Sequence, residues 1–198
     1  MAKRLFDLLV AAAALLLLAP LLLAVALAIR IDSPGPVFFR QQRVGRHGVP
    51  FDIHKFRTMA ADERAPGPQL TAQHDSRITR LGRVLRHYRI DELPQFIDVL
   101  LGRMSLVGPR PEVPHFVAHY PAGLKARVLA VRPGITDPAS LAHIDEAALL
   151  AGAADPEREY VEHILPAKLV LQAAYAEQAT LRSDLAVLVR TLGVLLSR

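Results

Sequence analysis

Leu15-Leu16-Leu17-Leu18-Ala19-Pro20-Leu21-Leu22-Leu23 is the middle of a 22-residue run, residues 8–29, without one charged or polar side chain. At a rise of roughly 1.5 Å per residue the run makes about 33 Å of helix, enough to cross the hydrocarbon of a bilayer. Pro20 lacks an N–H and crowds the preceding turn, so a kink at Ala19-Pro20 is expected. The flanks carry the same sign: Lys3 and Arg4 lie before the run, and Arg30, Arg40, Arg43 and Arg46 after it. Basic flanks favour the cytoplasmic side, so both ends of the segment belong there. A re-entrant helix hinged at Ala19 and Pro20, entering and leaving by one face, satisfies both constraints. The alternative is a proline-kinked helix that spans the bilayer. A cleaved signal peptide fits less well, because Arg30-Ile31-Asp32 stands where small residues would be needed.

Composition agrees with contact with lipid. The 198 residues are 52% hydrophobic, with a mean hydropathy of +0.24 and a net charge of +5. The first 60 residues hold eight basic and three acidic side chains, so the excess charge lies beside the apolar run. That placement suits anionic lipid headgroups or phosphorylated substrates; with few aromatics among the cations, no nucleic acid is expected as a partner. There is no cysteine, which removes disulfides, thiolate metal sites and thiol nucleophiles. The eight histidines are spread along the chain, and no zinc site is expected.

Beyond the apolar run, Asp32-Ser33-Pro34-Gly35-Pro36 reads as a turn, and Val37-Phe38-Phe39 and Phe51-Asp52-Ile53 as the strands of a small β-hairpin. Residues 60–76, with Pro66-Gly67-Pro68, read as a surface loop. Arg77, Arg80, Arg83, Arg86 and Arg89 then recur at every third position; on a helix such a series winds round the cylinder, so only some can face one ligand. Arg86 and Arg89 are the phosphate candidates, being nearest the next feature.

That feature is Arg89-Ile90-Asp91-Glu92-Leu93-Pro94-Gln95, two adjacent carboxylates ahead of a proline. It reads as a helix start, with Asp91 as cap and Phe96, Ile97, Leu100 and Leu101 as the apolar side. Such a position suits an anionic ligand; helix capping alone would also explain the acids. Further on, Gly108-Pro109-Arg110-Pro111 stiffens the backbone on both sides of a guanidinium and raises the chance of a cis bond. Val131-Arg132-Pro133-Gly134 is a second stiff turn with an arginine. Residues 113–131 read as a helix broken near Pro121, and residues 157–198 as helical, with a closing apolar run that packs on the core or lies in the interface. No Walker, GxGxxG or GxSxG signature is present.

Taken together, Lys3-Arg4-Leu5-Phe6-Asp7 before a Pro-broken apolar segment, Gly35-Pro36-Val37-Phe38-Phe39-Arg40-Gln41, Lys55-Phe56-Arg57-Thr58-Met59, Asp91-Glu92-Leu93-Pro94-Gln95, Met104-Ser105-Leu106-Val107-Gly108-Pro109-Arg110-Pro111 and Arg132-Pro133-Gly134-Ile135-Thr136 resemble the bacterial sugar transferases, the small monotopic phosphoglycosyl transferases. The likeness runs from residue 3 to about residue 137.

The resemblance implies an α-rich α/β monotopic membrane enzyme: residues 1–31 a re-entrant membrane helix, residues 32–198 a cytoplasmic, membrane-associated catalytic domain with a small hairpin and interfacial helices. It implies transfer of a phosphosugar from a UDP-sugar to undecaprenyl phosphate with release of UMP, at the cytoplasmic face of the bacterial inner membrane. Asp91 would be the nucleophile that forms a covalent phosphosugar intermediate, and Glu92 would help hold Mg²⁺. Lys55, Arg57, Arg86, Arg110 and Arg132 would neutralise the substrate phosphates, and a homodimer is compatible. A membrane scaffold without catalysis, recruiting glycan-assembly enzymes, is the alternative. The chain departs from the family at Ala19-Pro20, where Ser-Pro is frequent, at Arg89-Ile90, and at Asp137-Pro138-Ala139-Ser140-Leu141, where a Gly-containing run is usual.

Overall fold

Leucine and alanine dominate the first thirty residues, and both are strong helix formers. The computed structural model, which describes residues 1–60, 77–143 and 146–197, accordingly opens with helix α1, Ala2–Asp32, with Pro20 inside it. The middle of α1 is largely exposed, whereas both ends are tied to the rest of the protein. Near the start, Lys3 donates to Val107 O at 3.1 Å and to Asp184, Arg4 donates to Val99 O at 2.8 Å, and buried Asp7 accepts from the Ser105 hydroxyl at 2.8 Å. Near the end, Arg57 donates to the carbonyls of Ser33 and Pro34 just past the helix and to that of Ile29 in its last turn. The 61–76 stretch of the expected loop lies outside the described residues.

The hairpin follows as β1, Phe38–Val44, and β2, Pro50–Phe56, antiparallel with Phe38 opposite Phe56 and Gln42 opposite Asp52. The strands run further than the aromatic triplets suggest, because Arg40, Gln41, Gln42 and Arg43 continue the ladder. Positive φ at His47 (59°) and Gly48 (77°) turns the chain between them. Then come α2, Arg80–His87, a single 3₁₀ turn Ile90–Glu92, and α3, Gln95–Leu100. The buried face of α3 is Gln95, Asp98 and Val99, while Leu100 and Leu101 are exposed, the reverse of what apolar spacing suggests.

Strand β3, Ser105–Val107, pairs in parallel with β4, Gly134–Thr136, and the connection between them carries α4, Pro114–Val117, and α5, Ala122–Val128, on either side of Pro121. Two glycines let the segments around this pair meet: a Cβ on Gly134 would lie 2.0 Å from the Gly108 nitrogen. The C-terminal layer is α6, Pro138–Ala142, α7, Glu146–Ala151, α8, Pro156–Glu159, a π-turn Tyr160–Ile164, α9, Leu165–Gln178, and α10, Leu181–Leu196.

Three apolar clusters hold these parts. Phe116, Tyr160, Leu165 and Leu169 form one beneath the C-terminal layer. Val99, Met104, Leu106 and Val187 form the second, with Ala11 of α1 fully buried in it. Phe56 and Leu85 form the third with Val25 and Ile29 of α1. Helix α1 thus contributes to two of the three clusters. Helix α10 packs along Asp184 and Val187, and leaves Leu185, Val189, Leu192 and Leu196 as an exposed apolar stripe at helical spacing.

Candidate active site

Thr79 caps α2 by accepting from Gly82 N–H at 2.9 Å, and Gly82 packs so closely that a Cβ would lie 2.0 Å from Thr58 O. This contact locks α2 onto the chain leaving β2, and Arg86 Nε donates to Thr58 Oγ1 at 2.8 Å. After α2 the backbone of Arg89 turns left-handed, φ 56°, a conformation that costs a non-glycine residue on the order of 1 kcal/mol. That reversal sets the 3₁₀ turn against β2. Asp91 and Glu92 lie in the turn, each 8% exposed.

Asp91 does not cap α3. Leu93 and Pro94 are already right-handed (φ −56° and −60°), so the turn runs into the helix and no extended residue is available to cap it. Asp91 Oδ1 is buried with no hydrogen-bond partner, and so are both polar atoms of Gln95, one turn later on the same face.

Glu92 has the opposite surroundings. Its Oε2 accepts from Arg110 Nη1 at 3.0 Å, and its Oε1 accepts from Lys55 Nζ at 2.9 Å and from the second arm of Arg110, with Arg89 at 3.5 Å. Burial pushes the Glu92 carboxyl up, but Arg110, Lys55 and Arg89 outweigh it and hold it well below the ordinary range. Burial, reinforced by the charge of Glu92, pushes Asp91 up to about 6 against the pull of Lys55, Arg86 and Arg89. Lys55 is itself lowered by burial, with Glu92 opposing. Two neighbouring acids are thereby separated into one clamped anion and one carboxyl that titrates in the physiological range.

Of the cations expected at the dyad, Lys55 and Arg110 touch it, and Arg86 acts on Asp91 through its charge. Arg57 and Arg132 stand apart. Arg57 caps the end of α1, and Arg132 Nε donates to Gly102 O at 2.9 Å, tying the turn after α3 to the segment before β4. None of the described peptide bonds is cis, Arg110-Pro111 included.

Several supporting groups escape a reading of the sequence. Asp98, fully buried, accepts from His54 N–H and from the His54 ring, both at 2.8 Å, and so fastens α3 to the strand residue next to Lys55. Glu112, next to Pro111, accepts from Tyr160 OH and lies 3.5 Å from Lys168 and 3.6 Å from Arg43. The scattered reading of the histidines needs one correction. His115 and His119, four residues apart, bring their rings to 5.6 Å; even so, no group of three potential metal-binding side chains occurs among the described residues.

A buried, cation-flanked acid pair suits chemistry on phosphorylated substrates, and comparison with known proteins narrows the class. Residues 1–198 match the model of the bacterial sugar transferase family, and the chain belongs to that family. It is 44% identical over 163 residues to a UDP-N-acetylgalactosamine-undecaprenyl-phosphate N-acetylgalactosaminephosphotransferase of Aeromonas hydrophila, an overlap that covers 81% of this chain and 37% of the relative. It is 48% identical over 136 residues to a UDP-glucose:undecaprenyl-phosphate glucose-1-phosphate transferase of Caulobacter vibrioides (68% and 51% covered), and 45% identical over 143 residues to the exopolysaccharide production protein PSS of Rhizobium leguminosarum (68% and 70%). The chain thus spans only about a third to a half of the length of the first two relatives.

Proposed function

We propose that this protein transfers a sugar-1-phosphate from a UDP-sugar to undecaprenyl phosphate at the cytoplasmic face of the bacterial inner membrane, opening the assembly of a lipid-linked glycan. The observation that carries the reading is Asp91: a buried carboxyl with an unpaired oxygen, beside a glutamate clamped by cations, in a chain of the bacterial sugar transferase family.

In this mechanism an Asp91 oxygen attacks the phosphorus that carries the sugar. An aspartyl–phosphorus bond forms as the bond from that phosphorus to the bridging oxygen of UMP breaks, and UMP leaves with the electron pair. A phosphate oxygen of undecaprenyl phosphate then attacks the same phosphorus, releases Asp91 and leaves the sugar on a lipid diphosphate. Lys55, Arg86, Arg89 and Arg110 supply positive charge fixed in place around the reacting phosphates. Asp91 acts as nucleophile only when ionised, so its raised pKa ties turnover to pH.

Mg²⁺ fits the site through Asp91 Oδ1, the oxygen without a partner, since this ion is content with one or two carboxylates, substrate phosphates and water. Glu92, expected to hold the metal, has Oε1 filled by Lys55 and Arg110, whereas Oε2 accepts only from Arg110 Nη1 and would have a lone pair to offer a cation. The chemistry Mg²⁺ supplies there is neutralisation of the diphosphate and of the departing UMP.

The monotopic, re-entrant arrangement is supported by the docking of both ends of α1. Lys3 and Asp7 bond to Val107 and Ser105, while Ile29 bonds to Arg57. A helix that crossed the bilayer would leave its two ends on opposite sides, out of reach of one domain. The stripe Leu185, Val189, Leu192 and Leu196, with Leu100 and Leu101, supplies apolar surface for an interfacial helix layer.

The experiment is UMP release from a panel of UDP-sugars with undecaprenyl phosphate and Mg²⁺, native protein against Asp91→Asn. Release that requires the lipid acceptor and disappears in the variant is the expected result. Absence of release from every donor by membrane-embedded protein overturns the reading in favour of a scaffold.

A further inference from the structure

Pro109 and Pro111 have no N–H, so within Pro109-Arg110-Pro111 only Arg110 offers a backbone donor. That N–H is taken by Asp137 Oδ2 at 3.1 Å. The same oxygen accepts from Gln172 Nε2 of α9 at 2.8 Å, while Oδ1 accepts from Ser140 N–H at 2.5 Å and so caps α6. Asp137 is 0% exposed. The Arg110 side chain is held by the same segment, because Nη1 donates to Ile135 O at 3.2 Å before reaching Glu92 at 3.0 Å.

We propose that Asp137 is a positioning residue: by pinning the Arg110 backbone it aims the guanidinium at Glu92 and at the substrate phosphate beside it, linking the C-terminal helices to the acid pair. The inference rests on the phosphate role given to Arg110 above. Capping alone does not account for Asp137. A cap uses one oxygen, and serine or threonine provides it. The second oxygen, buried where an unpaired charge is costly, is committed to Arg110 and Gln172.

The test is a double-mutant cycle on full-length protein in membrane, with steady-state UMP release and melting temperature read on every variant. Asp137→Ser keeps an acceptor for the α6 cap and removes the oxygen that holds Arg110; Asp137→Asn, nearly the same size, serves if the serine variant misfolds. The expected result is a fall in kcat/KM of about tenfold to a hundredfold, carried mainly by kcat. In an Arg110→Lys background the same substitution should change kcat/KM by no more than about twofold, while its effect on melting temperature is equal in both backgrounds. Losses that multiply in the double variant, or wild-type turnover in Asp137→Ser and Asp137→Asn, overturn the proposal. If Arg110→Lys alone turns over like the native protein, the phosphate role of Arg110 fails first and the positioning role falls with it.

Discussion

Arg110 closes on Glu92 with both terminal guanidinium nitrogens across eighteen residues of sequence, while Asp91, the residue next to Glu92, keeps an oxygen with no partner. Removing one side of a buried ion pair strands the other, at a cost of about 3 to 5 kcal/mol. Arg110→Ala should lower the melting temperature by roughly 6 to 20 °C for a domain of this size, and kcat/KM by about a hundredfold or more. Adding Glu92→Gln should return little of the stability, because the buried Lys55 then loses its partner, and none of the activity. Calorimetry and UMP release on the three variants check this.

Asp91 titrates near 6, because burial and Glu92 favour its protonated form. A cation on Asp91 Oδ1 pulls this value down, so the acid limb of UMP release should lie below pH 6 and move to lower pH as Mg²⁺ is raised. Stability follows with its own sign. Between about pH 4 and 6 the folded state holds a proton that the unfolded state has lost, so stability declines as pH rises through that window. Above pH 6 the penalty is on the order of 3 kcal/mol. Asp91→Asn should melt several degrees higher than native protein at pH 8 and no higher at pH 3.5.

Arg57 gathers three carbonyls at the end of α1, an arrangement that suits a planar fork of donors and not a single ammonium. Arg57→Lys and Arg57→Ala should both lower the melting temperature, with the defect appearing as loosened docking of α1. A rise in KM for the UDP-sugar at unchanged melting temperature would instead assign Arg57 to the substrate.

The chain has no cysteine, so single cysteines report their surroundings without background. Cysteines at Ala2 and Ser33 should react with a membrane-impermeant maleimide from the cytoplasmic side alone, and one at Leu17 should be protected. Labelling of Ala2 and Ser33 from opposite sides would make α1 a spanning helix.

The apolar run, the hairpin, the acid pair and the Pro-Arg-Pro turn are all legible in the sequence, because each is written locally in composition or spacing. The tasks of Arg57 and Arg132 are not, since a guanidinium looks the same whether it meets phosphate or the end of a helix. The β3–β4 pair is hidden for another reason: three-residue strands have no measurable period, and their pairing joins residues 105 and 134 across two helices. Helix α3 keeps Phe96 against the core as expected but buries Asp98, satisfied inside by His54, while Leu100 and Leu101 face outward. The cap that Asp137 makes on α6 is not read from the sequence, and its hold on Arg110 depends on a chain segment 27 residues away.

Ala11, Val25 and Ile29 belong at once to the apolar helix α1 and to the packing around Val99, Met104, Phe56 and Leu85. A truncation that removes α1 to obtain a water-soluble enzyme would therefore uncover two cores and free Asp7 and Arg57 from their partners. What is cut away would be part of the folding unit, so a shortened protein would lose the packing that holds β2 and α3 in place around the acid pair.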